Sequence, residues 1–346
     1  MQIFPHTRRE LLALLGRQAV FVGVLAGALA FMVAMPGRSY RGALPPLTDE
    51  EARLTGELRA SVQKLAGDIG PRHLHRPDAL EQAAAYVESE LRAAGLSPAR
   101  QSYAVRGQTV SNIEAEQAGH GALAGELVVV GAHYDAVETV DGCPGANDNG
   151  TGTAVMLALA RQLRGRTLAR TVRFVGFVNE EPPYFWTGDM GSVRAAKRSR
   201  ERGERITAML SLETLGSYSD RPGSQAYPFP FSLVYPTTAD FVAFVGNVSS
   251  RAITRQAVGA FRREARFPSE GAAPVSFIGG VGLSDHWSYW QEDYPAVMVT
   301  DTAFFRYRWY HTPQDTPDKI DHERLARVTA GLTRVVIDLA GGEAGR

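Results

Sequence analysis

Apolar and polar positions along the chain change period several times, and each change marks an element. Thr48-Asp-Glu-Glu51 forms a capping box ahead of Leu54, Leu58, Val62 and Leu65, which recur at helical spacing. Gly70-Pro71 breaks that helix, and a second is expected from about Pro77 to Ala94 with Gly95 as its C-cap. Residues 98–106 and 109–117 read as a strand pair leading into a buried strand at 126–132. Further buried strands are expected at 171–178, 206–213 and 296–300, with helices at 154–163 and 190–202 and a closing helix at 320–340. Residues 239–265 are expected to be helix in two pieces, and 216–231 and 268–286 to be loops, the first lying over a crevice. Strand alternating with helix in this way is the signature of a wound α/β sheet.

The N-terminal pattern differs. Ala19 to Met35 is an apolar run without a charge, preceded by Arg8, Arg9 and Arg17 and closed by Pro36-Gly37. Its length suits the short end of a membrane span, and no clean small-residue cleavage site follows, so an uncleaved transmembrane anchor is expected over a signal segment. The arginines before it place the N-terminus on the cytoplasmic side and the bulk of the chain outside, in the cell envelope. Secretion is the alternative, and Thr7-Arg8-Arg9 also permits a twin-arginine signal. The expected organisation is a basic segment 1–18, the apolar segment 19–35, a linker 36–47 and one globular domain 48–346.

Composition narrows the function classes. With 346 residues, 44% of them hydrophobic, the chain can bury one large core. The formal net charge is zero, and the short basic run Arg194–Arg205 reads as the solvated face of a helix, so nucleic acid is not an expected partner. The single cysteine, Cys143, excludes an internal disulfide.

The candidate chemistry sits where strands end. The run 128–150 begins as a buried strand and breaks at Gly131 into a loop carrying His133, Asp135 and Asp148. Ligands of open α/β sheets bind outside the carboxyl ends of strands, and an Asp two residues from a His can orient its ring toward a metal. The strand at 171–178 runs into Asn179-Glu180-Glu181, the strand at 206–213 ends in Glu213, and His311 follows the last strand. His133, Asp148, Glu181, Glu213 and His311 make a set of two imidazoles and three carboxylates. Such a set suits two zinc ions about 3.5 to 4 Å apart with one carboxylate bridging, because its two oxygens can each take a metal. His286 reads as a structural or substrate-lining group, and His73, His75 and His120 as solvated loop histidines without partners.

The segments GAHYDAV (131–137), GANDNGTG (145–152), NEEPP (179–183), SLETLG (211–216), SDHWSYW (284–290) and 294–321 resemble the co-catalytic zinc aminopeptidases. That group includes secreted bacterial leucine aminopeptidases and related carboxypeptidases. The resemblance spans about residues 50–340 and implies a single mixed β-sheet of about eight strands with helices on both faces. It implies two Zn²⁺, one held by His133 and Glu213, the other by Glu181 and His311, with Asp148 bridging. It further implies that Asp135 orients His133, that Glu180 is the general base, that Tyr310 steadies the oxyanion, and that the peptide bond after Asp148 is cis. At position 213 many relatives carry Asp, one methylene shorter than the Glu here.

The expected activity is that of a membrane-tethered di-zinc exopeptidase, most simply an aminopeptidase acting on peptides. A glutaminyl cyclase or a carboxypeptidase of the same superfamily would need a different pocket, the latter with arginines near the cleft, where Arg306 and Arg308 are the candidates. A catalytically dead receptor or scaffold would lack a ligand or the base, whereas every position is filled here.

Overall fold

The computed structural model describes residues 7–342, so residues 1–6 of the basic segment and 343–346 of the globular domain lie outside the described residues. Helix α1 (Arg8–Val33) starts with a capping box from Thr7 to Glu10 and buries none of its residues against the protein. It is the one helix among the described residues long and apolar enough to cross a membrane. The Thr48–Glu51 capping box opens α2 (Asp49–Val62), which buries Leu54, Leu58 and Val62 and continues through a wider turn to Ile69. Helix α3 (Pro77–Ala93) follows, and the chain leaves it through Gly95 at φ +87°.

Among the described residues eight strands form one sheet in the order β1-β2-β4-β3-β5-β8-β6-β7. These are β1 (Ala99–Val105), β2 (Gln108–Gln117), β3 (Glu126–His133), β4 (Thr171–Phe177), β5 (Arg205–Glu213), β6 (Val242–Val245), β7 (Ser269–Ala272) and β8 (Ala296–Thr300). The centre, β4-β3-β5-β8, is parallel, and β2 and β6 join it antiparallel on either side. The expected mixed α/β sheet is therefore the one found.

Helices α4 (Gly152–Leu163), α5 (Gly191–Glu201), α6 (Arg251–Glu264), α7 (His286–Gln291) and α8 (His322–Leu339) cover the sheet. One apolar core lies beneath α2, α3, α4, α6 and α8; a smaller one around Val129, Phe177, Met209 and Tyr289 lies on the other face. Every residue of β3 and of β4 is buried, which is why both read as largely apolar runs, Arg173 in β4 being paired with Glu116 and Glu204. The basic run on α5 is mainly solvated, although Arg198 pairs with Glu114 on β2.

Two expectations fail at the β6–β7 edge. Residues 239–265 are not helix in two pieces, because Val242–Val245 is a strand between β8 and β7 and only Arg251–Glu264 is helical. A short apolar run fits either period, and the sheet decides it. Residues 268–286 are not all loop, because Ser269–Ala272 pairs with β6 through backbone alone and α7 begins at His286. A polar four-residue strand containing Gly271 has no alternation to read. A Cβ at Gly271 would sit 2.7 Å from Val258 and 2.9 Å from Met35, so this edge closes only on a glycine.

The segment from α1 to α2 contains no helix or strand, yet it lies against the domain. The carbonyl of Met32 accepts from the Ala273 N–H at 2.8 Å, and those of Phe31, Ala34 and Pro36 accept from Arg251, Arg255 and Arg262 of α6. Ser39 accepts from the Ser269 N–H, and Arg327 of α8 donates to the Pro45 carbonyl at 2.6 Å.

Candidate active site and metal centre

The parallel centre delivers its chemistry to one end. His133 is the last residue of β3, Glu213 the last of β5, and Glu180 and Glu181 lie just past β4. Neighbouring strands are about 4.8 Å apart, so side chains at three adjacent strand ends reach one volume. Asp148 comes from the turn Ala146–Thr151 that enters α4, and His311 from the loop between β8 and α8.

The five expected ligands meet. The Asp148 carboxylate stands between the two imidazoles, with Oδ1 3.3 Å from His133 Nε2 and Oδ2 3.0 Å from His311 Nε2. On one side Glu213 Oε2 lies 3.4 Å from His133 Nε2; on the other Glu181 Oε2 lies 3.0 Å from His311 Nε2. Glu180 Oε2 is 3.7 Å from His133 Nε2, so the candidate base faces the same volume as the ligands. The extra methylene of Glu213 does not withdraw its carboxylate from the cluster.

The donor set fits a metal. Both ring nitrogens of His133, Nε2 of His311, Oδ2 of Asp148 and Oε1 of Glu181 are buried and without a hydrogen-bond partner. Natural proteins rarely leave buried polar atoms so, and a bound ion is one of the explanations. Electrostatics point the same way. Burial, reinforced by the Asp148 charge, pushes Glu181 up to about 8, and burial holds Glu180 and Glu213 above the usual carboxylate range. Burial pulls His133 and His311 down, but the surrounding carboxylates outweigh it and raise both, His311 to about 11. Only Asp148 of the four, between the two imidazoles, is held below the usual carboxylate range, against burial, by His133 and His311; a cation among the other three would favour their charged forms.

The local backbone is bent to serve this arrangement. Asn179, Thr214 and His311 have φ of +58°, +40° and +52°, and each is, or directly precedes or follows, one of the clustered residues. For a β-branched residue such as Thr214 this region is costly, and it persists because neighbours fix it. The Thr214 N–H donates to Asn149 Oδ1 at 3.1 Å, its carbonyl accepts from Asp301 N at 2.7 Å, and its hydroxyl meets Thr300 Oγ1 at 3.1 Å. The Asp148–Asn149 peptide is cis, as the resemblance implies.

Asp135 does more than face His133. Its Oδ1 lies 3.6 Å from His133 Nδ1, and its two oxygens accept from the Glu180 and Glu181 N–H groups, each at 3.2 Å. One carboxylate thus holds the turn bearing both glutamates and faces the imidazole. Tyr310 stacks on His311 with ring centroids 3.9 Å apart, and it lines an apolar cavity of about 100 Å³ together with Glu213. Tyr227, Phe231, Phe241 and Phe244 line the rest, so the segment expected over the crevice does reach it.

Several residues escaped the sequence reading. Asp315 accepts from the Asn147 and Asp148 N–H groups at 2.8 and 3.0 Å and from the Tyr307 hydroxyl at 2.7 Å, which fixes the turn carrying Asp148. Asp301, just past β8, accepts from Asn147 Nδ2 at 2.9 Å and the Ser217 N–H at 2.8 Å. Ser284 donates to Glu213 Oε2 at 2.7 Å, and its neighbour Asp285 is wholly buried with neither oxygen hydrogen-bonded, its carboxyl pushed to about 7 by burial. Position beside a strand end or within SDHW was the available signal. Buried Arg72 donates to the carbonyls of Tyr134, Pro144 and Gly145, tying together the stretch from His133 to Asp148.

Other expectations are settled by geometry. His286 is fully buried, bonded through Nε2 to the Val281 carbonyl at 2.8 Å and held near 4 by burial, outside the cluster. His73 is not a solvated histidine: it is 8% exposed, and it lies with His75 and Glu138 in a second cluster. Arg306 is partly buried and donates to Gln225 Oε1 and the Phe241 carbonyl, with one guanidinium nitrogen left unpaired, whereas Arg308 is exposed and stacks on Trp309.

The chain is 28% identical to aminopeptidase YwaD of Bacillus subtilis over 223 residues, 62% of this chain but 41% of that protein. It is 35% identical over 283 residues to the uncharacterized protein YfbL of Escherichia coli, covering 80% of this chain and 85% of that one. In fold it resembles BSAP, a zinc aminopeptidase from Bacillus subtilis (16% identity, TM-score 0.67, 84% of this chain and 96% of that one). It likewise resembles a glutaminyl cyclase from Fimbriiglobus ruber (23% identity, TM-score 0.60, 88% and 99%). Residues 112–336, which run from β2 into α8 and include every clustered side chain, match the model of one family, and on that match, with the YfbL relationship, the chain belongs to peptidase family M28.

Proposed function

We propose that this chain is a di-zinc aminopeptidase, in which His133 and Glu213 hold one ion, Glu181 and His311 the other, and Asp148 bridges. The supporting observation is the placement of Asp148, one oxygen toward each histidine. Bound by these residues, zinc would supply Lewis acidity toward the scissile carbonyl and would bring the pKa of water from 15.7 toward about 7. Glu180 takes the proton from the attacking water and passes it to the leaving amine. The Tyr310 hydroxyl donates to the oxyanion as the carbonyl becomes tetrahedral. The apolar cavity beside Glu213 and Tyr310 takes the side chain of the N-terminal residue, with Phe231 and Tyr227 as its walls.

Charge favours an amino terminus over a carboxylate. Asp148, Glu180, Glu181 and Glu213 offset the four positive charges of two zinc ions, and Asp285 adds a further buried acid that a substrate ammonium would meet. Arg306 is partly buried against Gln225 and the Phe241 carbonyl, which leaves exposed Arg308 as the cation a C-terminal carboxylate would have to use.

Helix α1 supports a membrane tether with the catalytic domain outside the cytoplasm. An N-terminal sequence beginning at or beyond Gly37 in the mature protein would overturn it in favour of a cleaved signal.

The deciding experiment compares aminoacyl amides with N-blocked peptides and with N-terminal glutaminyl peptides, while bound zinc is counted. Release of apolar N-terminal residues with two zinc ions supports the proposal. Ammonia release with ring closure on glutaminyl peptides and a single zinc would support the second reading, a glutaminyl cyclase, which the likeness to such a fold keeps open.

A further inference from the structure

We infer that His73, His75 and Glu138 form a further divalent transition-metal site, separate from the catalytic cluster. One ligand atom from each of the three lies within 4.8 Å of the others, and His75 Nδ1 is already 3.4 Å from Glu138 Oε1. Tetrahedral zinc with bonds of about 2.0 to 2.1 Å needs ligand atoms about 3.3 to 3.4 Å apart, so a small closing movement completes three corners. Two imidazoles with one carboxylate suit zinc, and the fourth position would remain open to solvent.

The cluster has the features of a site and not of a surface coincidence. His73 is buried, and its Nδ1 has no hydrogen-bond partner. The Glu138 side chain is 6% exposed, while His75 is 64% exposed and leaves a path for an ion. Glu138 is pre-positioned by the Tyr184 hydroxyl, which donates to its oxygens at 3.1 and 3.3 Å. Of the nearby cations, Arg106 forms a long ion pair with Glu138 Oε1 at 3.8 Å while lying over the Tyr184 ring, a contact a bound ion would replace, and Arg76 pairs with Asp141.

The placement gives such an ion a task. His73 follows Arg72, Glu138 lies three residues past Asp135, and Tyr184 three past Glu181. An ion here braces the loop before α3, the loop after β3 and the loop after β4 against one another, and the last two carry catalytic groups. Its effect is positional, with no contact to substrate.

The test counts zinc bound by the untagged full chain in detergent, stripped with chelator and reloaded. His75→Ala and Glu138→Gln should each bind one equivalent fewer than the unsubstituted chain. A His133→Ala, His311→Ala double variant, whatever its catalytic site retains, should keep the equivalent that His75→Ala removes, and zinc should raise its Tm. Adding His75→Ala to that double variant should abolish this rise. Because His75 is mostly exposed, its replacement does not touch the core, and an unchanged zinc count in His75→Ala overturns the inference. Loss of the same equivalent in both His75→Ala and the double variant would also overturn it, since the ion would then belong to the catalytic cluster.

Discussion

The two halves of the carboxylate–imidazole cluster are built from different materials. His133 and Glu213 are the terminal residues of β3 and β5, paired strands whose ends are buried, and His133 is 0% exposed. Glu181 and His311 stand on loops: Glu181 follows Asn179 at φ +58°, and His311 sits at φ +52° with a side chain 24% exposed. Asp148 joins the halves. A strand end is held by its ladder whether or not an ion is present, whereas a loop ligand depends on the ion and on side chains such as Asp135 and Asp315 that accept its backbone N–H groups or those of a neighbouring turn.

The sharpest way to break this comparison lies within the loop-built half. Glu180→Gln keeps the shape but cannot take a proton, so kcat should fall by about 10² to 10⁴ while bound zinc stays near the unsubstituted level. Glu181→Gln should lose metal instead. Near-normal kcat in Glu180→Gln, measured on folded protein, would reverse the two roles. Tyr310→Phe should lower kcat by about 10² through the lost oxyanion donor, with KM little changed. A rise in KM alone would reduce Tyr310 to a wall of the cavity.

Much of this arrangement was legible before the structure. The largely apolar runs leading to His133, Phe177 and Glu213 predict buried parallel strands, and the binding of ligands at the carboxyl ends of such strands then points to the acidic and imidazole groups there. His311 was different. It sits in a loop where no period exists; its place just past the last strand put it in the set, and only the resemblance implied its pairing with Glu181. Asp315, Asp301 and Arg72 were missed because they act on backbone groups brought together by distant turns, as when Asp315 reaches Asn147 across 168 residues of sequence. His73 was misread because burial of a loop depends on what packs over it, which local pattern does not encode. Strands β6 and β7 were lost for the opposite reason, being too short to display a period at all.

Removing the metal sharpens the contrast in a pH-dependent way. In the stripped chain Glu181 is raised to about 8 and His311 to about 11, so the folded state binds more protons than the unfolded state between the ordinary and raised values. Stability contributed by these groups is present at low pH and lost as pH rises through those values. The Tm of the stripped chain should therefore be lower at pH 9 than at pH 6, and zinc should restore it. An equal Tm at both would show that the cluster relaxes when empty. The smallest effect concerns dynamics. Chelation should speed amide exchange in residues 179–187 and 306–316 and leave 126–133 and 205–213 unchanged, as judged by hydrogen exchange. Equal acceleration in the strands would dissolve the distinction between the halves.

The docked segment between α1 and α2 has a consequence for reach. A flexible stalk lets a tethered enzyme sweep a volume whose radius grows with the square root of stalk length. Here the chain has no such slack: Met32 at the end of α1 is already bonded to Ala273, beside β7, and Gly271, Ala272 and Pro274 line the apolar cavity. Were α1 a membrane tether, as proposed, this docking would hold the mouth of the site near the headgroups. On the proposed tether, the site would then meet substrates as a two-dimensional collector, favouring peptides that travel along the membrane over those diffusing freely above it.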